Sequence, residues 1–108
     1  MMKYNYKVKQ KTLQFITHKD LFSPSSADEG TLAMLSTVSV NDNDKILDLG
    51  CSYGFVGVVL KTKNTKAEIH LVDKDPLAIE YAKRNIEMNG LGLSAWLSEG
   101  FENIYDRD

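Results

Sequence analysis

One cysteine, Cys51, stands among 108 residues, so the chain can form neither an internal disulfide nor a multi-cysteine metal site. Such usage fits a reducing cytosol, and a cytoplasmic location is expected. No basic leader followed by an apolar stretch opens the sequence, and no apolar run approaches about 18 residues, so neither secretion nor a membrane span is expected. Internal repeats and low-complexity tracts are absent as well. The formal net charge of −2 lacks the basic excess that a dedicated nucleic-acid-binding domain carries. Any basic footprint must be local. The one candidate is Lys3, Lys7, Lys9, Lys11 and Lys19, gathered in the first 20 residues while acids concentrate later, and it reads first as a solvated, solubilising edge.

What is there is the composition of one ordinary soluble domain, 43% hydrophobic and 26% charged. A domain of this size buries only about two-thirds of its unfolded surface and has no core to spare. The strongest punctuation is "SPSSADEG" at 23–30. Before it, "YNYKVKQ" and "TLQFIT" alternate polar with apolar or β-branched residues, which predicts two short strands forming a hairpin or flap over residues 1–26. After it, Leu32, Met34, Leu35 and Val38 predict a helical apolar stripe with Asp28 as its N-cap, closed by "NDND".

From Lys45 the pattern becomes regular. "KILDL" predicts a short buried strand, "FVGVVLKTK" a helix, "AEIHLVD" a strand, "PLAIEYAKRNIEMN" a helix and "LSAWLS" a strand. Strands alternating with helices call for a parallel sheet in an α/β fold. The second helix of this series is the best marked: Asp75 can cap it, Pro76 suits its first turn, and Asn89-Gly90 supplies a stop. Glu80 with Arg84 and Lys83 with Glu87 are spaced for solvent-side ion pairs, while Ala78, Ala82 and Ile86 line the core side.

In an open α/β sheet a ligand lies beyond the carboxyl ends of the strands, the place that "DLGCSYG" occupies after the first parallel strand. Gly50 and Gly54 permit a tight turn and a close backbone approach, and Gly57 lets the following helix pack close to the sheet. The second strand ends in Asp73, 25 residues after Asp48, where an acid can accept hydrogen bonds from both ribose hydroxyls of a nucleoside. Glycines at 50, 54 and 57 do not fit the G-x-G-x-x-G of a dinucleotide site, and Phe55 stands where a phosphate-binding loop needs glycine. Cys51 reads as a buried packing residue rather than a reactive thiol, because nothing basic flanks it. His18 and His70 lack partners at metal spacing, and Trp96 reads as packing rather than substrate stacking.

The stretches "ILDLGCSYGFVGVVL", "LVDKDPLAIEYAKRNIEMNGL" and "LSEGFENI" resemble motifs I, II and III of class I S-adenosylmethionine-dependent methyltransferases. Upstream, "LFSPSSADEGTLAML" resembles the segment before motif I in the small-domain group, which contains the ribosomal RNA guanine-N2 methyltransferases. The resemblance implies a Rossmann-like methyltransferase fold, incomplete here, with parallel strands in the order 3-2-1 and residues 27–108 as its cofactor-binding half. It implies S-adenosyl-L-methionine as cofactor, with Asp48, Gly50 and Gly54 around its methionine part and backbone groups from Cys51 and Ser52. Asp73 would hold the ribose, Lys74 would lie against the adenine, and Glu99 would accept the adenine amino group with Phe101 beside it. Ser52 replaces a common glycine, which the loop tolerates if φ stays negative and which otherwise alters it; Glu99 stands where aspartate is more usual. The acids suit a ligand carrying a sulfonium and an ammonium and would repel a pyrophosphate.

In the family the chain runs on to a further strand and an Asn-Pro-Pro-aromatic motif that receives the target amino group. No "NPP" occurs in this sequence, so that catalytic motif is expected beyond Asp108. The expectation is therefore a truncated or partial enzyme, inactive alone and without catalytic residues of its own, whose complete form takes RNA as substrate. The first parallel strand, 45–49, would then be an exposed apolar edge able to pair with a second copy. Two alternatives stay open: a non-catalytic nucleoside-binding or interaction module, and a methyltransferase acting on protein or a small molecule.

Overall fold

The computed structural model describes residues 2–21 and 29–98. Among the described residues, five strands and three helices follow one another: β1 (Met2–Val8), β2 (Lys11–Thr17), α1 (Glu29–Thr37), β3 (Lys45–Leu49), α2 (Phe55–Lys63), β4 (Glu68–Asp73), α3 (Pro76–Met88) and β5 (Ser94–Leu97). The first two form an antiparallel hairpin in which Val8 faces Lys11 across the two-residue turn Lys9-Gln10. Lys9 takes a positive φ of 54 there, an αL position without a glycine to mark it. The other three strands make a parallel sheet in the order β3-β4-β5, the 3-2-1 arrangement expected.

The helices between the strands follow from local chemistry. Asp75 caps α3 by accepting the Leu77 N–H at 3.0 Å, Pro76 occupies the first turn, and Gly90 takes φ +64 just past the end. Ala78, Ala82 and Ile86 are buried as their spacing predicts. The Glu80–Arg84 pair forms at 3.9 Å, whereas Lys83 and Glu87 make no ion pair among the described residues. Gly57 brings α2 onto the sheet so closely that a Cβ there would lie 2.1 Å from Leu71 Cδ2.

Two expectations about burial need correction. Leu35 is fully buried and Val38, just past the helix end, packs partly against the core, but Met34 is 47% exposed, because it lies about 100° around the helix from Leu35, which marks the buried side. "KILDL" is not buried on both faces. Ile46 and Asp48 share the face of Leu71 and Ile69, which meets the helices, while Leu47 and Leu49 point the other way and are 42% and 49% exposed. Asp28, the expected cap of α1, lies outside the described residues.

The hairpin shares one hydrophobic cluster with the α/β part. Tyr4 stacks on Phe15 at 5.4 Å between ring centroids, and Phe55 lies 5.1 Å from both Phe15 and Tyr6. Its outer edge is closed by α3. Asn89 accepts the Gln14 N–H through Oδ1 at 2.9 Å and donates through Nδ2 to the Gln14 carbonyl at 2.8 Å. One turn earlier, Asn85 does the same for Ile16, at 2.8 Å and 2.9 Å. Two amide side chains thus replace a neighbouring strand and satisfy four backbone groups of β2, which leaves that edge unable to template another chain.

Among the described residues, no helix is long and apolar enough to cross a membrane, and no three His, Cys, Asp or Glu side chains are grouped to hold a metal.

Candidate functional site

The site forms where β3 and β4 end side by side and the chain turns from β3 into α2. The first two amides past the strand, Gly50 and Cys51, both donate to the Val72 carbonyl on β4, at 2.8 Å and 3.0 Å. This folds the loop back over the neighbouring strand. Gly50 reaches φ +70 and Gly54 φ +90, and Gly54, as the residue before α2, carries no side chain to cap the first-turn amides. Those N–H groups therefore remain directed at the loop, as a ligand-binding turn requires.

Of the two outcomes open for Ser52, the structure takes the one that strains the loop: φ is not negative but sits at +52. For a residue with a Cβ this costs on the order of 1 kcal/mol. Two bonds hold it there. Its N–H donates to Asp73 Oδ2 at 2.9 Å, and its hydroxyl donates to the Leu21 carbonyl at 3.2 Å.

Asp73 organises the other side. Its Oδ1 accepts the Asp75 N–H at 3.0 Å while its main-chain carbonyl accepts the Ser98 N–H at 3.0 Å. Each carboxylate oxygen accepts one backbone N–H and retains a second acceptor position. Asp48 lies on the same face of the sheet, at the end of the adjacent strand. Burial, and next the Asp73 carboxylate, push its carboxyl up to about 6. Burial, with Asp48 and Asp73 adding to it, pushes the Cys51 thiol up to about 12, which makes Cys51 the inert packing residue its surroundings suggested. Two carboxylates with no counter-cation between them repel an anion and favour a cation, so the cleft suits a sulfonium or ammonium.

The structure thus brings together Asp48, Gly50, Cys51, Ser52, Gly54 and Asp73, with Lys74 exposed beside them. Glu99 and Phe101 lie outside the described residues. Sequence reasoning missed three supports of the loop. Asn85, fully buried, donates from Nδ2 to the Tyr53 carbonyl at 2.8 Å as well as to Ile16. The Tyr53 hydroxyl is 2.6 Å from that of Tyr4 on the hairpin, and Leu21 offers its carbonyl to Ser52. A signal for the first existed: two asparagines four apart in a helix, Asn85 and Asn89, are unfavourable there unless their amides are used.

A parallel 3-2-1 sheet with a glycine-containing loop after its first strand and an acid at the end of its second has the architecture of the class I methyltransferase fold. Solved structures agree. The Pyrococcus abyssi tRNA (uracil-54, C5)-methyltransferase in complex with S-adenosyl-L-homocysteine superposes with a TM-score of 0.66 over 90% of this chain and 24% of its own, at 19% identity. M. jannaschii TYW2 in complex with AdoMet gives 0.67 over 90% of this chain and 43% of its own, at 18% identity. At the level of sequence, the family described as methyltransferase small domain matches residues 12–108, and the chain belongs to it. Ribosomal RNA small subunit methyltransferase C of Hahella chejuensis is 36% identical over 93 residues, 86% of this chain and 27% of that protein. Ribosomal RNA large subunit methyltransferase G of Aeromonas salmonicida is 35% identical over 72 residues, 67% of this chain and 19% of its own length. The chain spans less than a third of these relatives. The family's cofactor is S-adenosyl-L-methionine.

Proposed function

We propose that this chain is the cofactor-binding half of an S-adenosylmethionine-dependent methyltransferase acting on an amino group of guanine in ribosomal RNA. The observation that carries the reading is the convergence of Asp48, the Gly50–Gly54 loop and Asp73 at the ends of adjacent parallel strands. Asp73 accepts the ribose hydroxyls through the acceptor positions its backbone partners leave. Gly50 and Gly54, with the backbone of Cys51 and Ser52, surround the methionine part, Asp48 faces its positive charge, and Lys74 lies along the adenine; the resemblance to motif III assigns the adenine amino group to Glu99, with Phe101 as its neighbour. The bound cofactor supplies an electrophilic methyl group; the protein aligns it and excludes water. The Asn-Pro-Pro-aromatic motif with which the family presents the acceptor has no counterpart in these 108 residues, and the chain alone is expected to bind cofactor without turnover, in the cytoplasm. The relatives' names favour an RNA acceptor over a protein or a small molecule, and over a non-catalytic module.

Calorimetry with S-adenosylhomocysteine tests the reading. The chain should bind it, and Asp73→Ala should weaken binding by about 5- to 150-fold, the equivalent of about 1–3 kcal/mol for a lost buried charged hydrogen bond. Binding that Asp73→Ala leaves unchanged refutes the assignment. We infer that the isolated chain self-associates through β3, which is at the edge of the sheet among the described residues, and a monomer in light scattering at high concentration refutes this.

A further inference from the structure

The hairpin holds a charge distribution that neither the cofactor loop nor the core uses. Residues 1–19 contain five of the chain's thirteen basic side chains and none of its fifteen acidic ones. The rest of the chain is therefore strongly acidic, and the near-neutral total conceals a separation of charge.

The strand register sorts these residues onto faces. Tyr4, Tyr6 and Val8 share one face with Phe15, Leu13 and Lys11, the face that meets the core and passes beyond it at the turn, while Lys3, Asn5 and Lys7 share the other with Ile16, Gln14 and Thr12; of these six only Ile16 is buried. Lys3, Asn5, Lys7, Thr12 and Gln14 are all exposed, and Lys9 and Lys11 are exposed at and beside the turn. No ion pair engages Lys3, Lys7, Lys9 or Lys11 among the described residues. The face is thus a strip of ammonium groups interleaved with amides and a hydroxyl, the residue types that contact phosphate and sugar. Lys3 and Lys7 are four residues apart, about 14 Å along a strand, and the tip at Lys9 lies about 7 Å further.

The strip is also held rigidly beside the site. Tyr4, next to Lys3, meets Tyr53 of the loop through its hydroxyl, and Asn85 binds Ile16 of β2 and the Tyr53 carbonyl with one amide. A polymer lying along this face has its position fixed relative to the cofactor loop.

We propose that the outer face of the β1–β2 hairpin, together with its tip, binds the phosphate backbone of the RNA substrate, engaging about three phosphates through Lys3 and Lys7 on the face and Lys9 and Lys11 at the tip, and starting at the end nearest the cofactor loop. That the polyanion is RNA rests on the function proposed above; the basic face itself does not.

The test uses the 108-residue chain and a fluorescein-labelled single-stranded RNA of about 20 nucleotides, titrated by anisotropy between about 50 and about 200 mM KCl. Three phosphate contacts give a slope of log K against log salt of about −2, and so a loss of roughly twentyfold across that range. Changing all four lysines to glutamine should flatten the slope and lower affinity at the low salt by at least tenfold. S-adenosylhomocysteine binding, measured on the same samples, should not change, which also shows that the variant is folded; the pairs K3Q/K7Q and K9Q/K11Q should each remove part of the slope. An unchanged slope in the fourfold variant, or no RNA binding by the unaltered chain, overturns the proposal. Equal affinity for polyglutamate of matched charge overturns the assignment to RNA. Failure of the unaltered chain to bind S-adenosylhomocysteine counts against the methyl-donor reading alone, so the two failures are distinguishable.

Discussion

Asn85 offers the sharpest test of how this fold supports its site. It is fully buried in the middle of α3, and its amide satisfies the Ile16 N–H, the Ile16 carbonyl and the Tyr53 carbonyl. Truncation in Asn85→Ala removes all three partners at once and leaves one donor and two acceptors in a space too small for the hairpin and loop to rearrange freely. Each buried orphan costs about 1–3 kcal/mol, and partial relaxation keeps the sum near the low end, about 3 kcal/mol. That is a large share of the about 5–15 kcal/mol that stabilises a domain. Thermal unfolding followed by circular dichroism should show a fall in Tm of roughly 12–24 °C, at about 4–8 °C per kcal/mol. Asn85→Asp is the finer probe. It keeps the acceptor for Ile16 but turns a carboxylate oxygen toward two carbonyls, so the introduced acid has a raised pKa in the folded state and the folded chain binds its proton more tightly than the unfolded one. Its deficit should therefore shrink as pH falls from neutrality toward about 4. A loss below about 1 kcal/mol in Asn85→Ala, or a deficit in Asn85→Asp that is flat in pH, would refute the bridging role.

Three further outcomes follow from single observations. Because the Asp48 carboxyl is pushed up to about 6 from an ordinary 3.8, the folded state holds its proton more tightly than the unfolded one, and stability contributed by this group falls as pH rises through that window. Asp48→Asn should remove that slope and raise urea-measured stability at neutral pH by at most about 3 kcal/mol, while weakening binding of the cationic methyl donor. Gly57→Ala places a methyl against Leu71, which is fully buried; overpacking of about 1–3 kcal/mol should outweigh the helix-propensity gain of about 1 kcal/mol, and the same change in a Leu71→Ala background should instead stabilise. With its thiol pushed up to about 12, Cys51 should resist a disulfide reagent at about pH 8 in the native protein and react on unfolding.

The parallel sheet, its helices and the loop between β3 and α2 were legible because each is written in neighbouring residues. Asp75, Pro76 and Gly90 mark α3 within one turn of its ends, and alternation alone predicts the hairpin. The positive φ of Lys9 and the exposure of Leu47 and Leu49 were not legible, since the first has no glycine to announce it and the second depends on what covers a sheet face.

Ser52 shows the physical limit most clearly. Read locally, a residue with a Cβ in a ligand-binding turn should avoid the αL region, because that conformation costs on the order of 1 kcal/mol. It occupies that region because its N–H and hydroxyl reach Asp73 and Leu21, 21 and 31 residues away, and two hydrogen bonds of about 1 kcal/mol each exceed the local penalty. The same holds for Asn85, whose partner Ile16 is 69 residues back. The glycines of the loop are local permissions that a sequence displays. The contacts selecting one conformation among those permitted come from the hairpin, the strand-end acid and α3, which meet at the loop only after the chain has folded. For that reason the hairpin is part of the proposed cofactor site in energetic terms although none of its side chains belongs to the motifs that mark it.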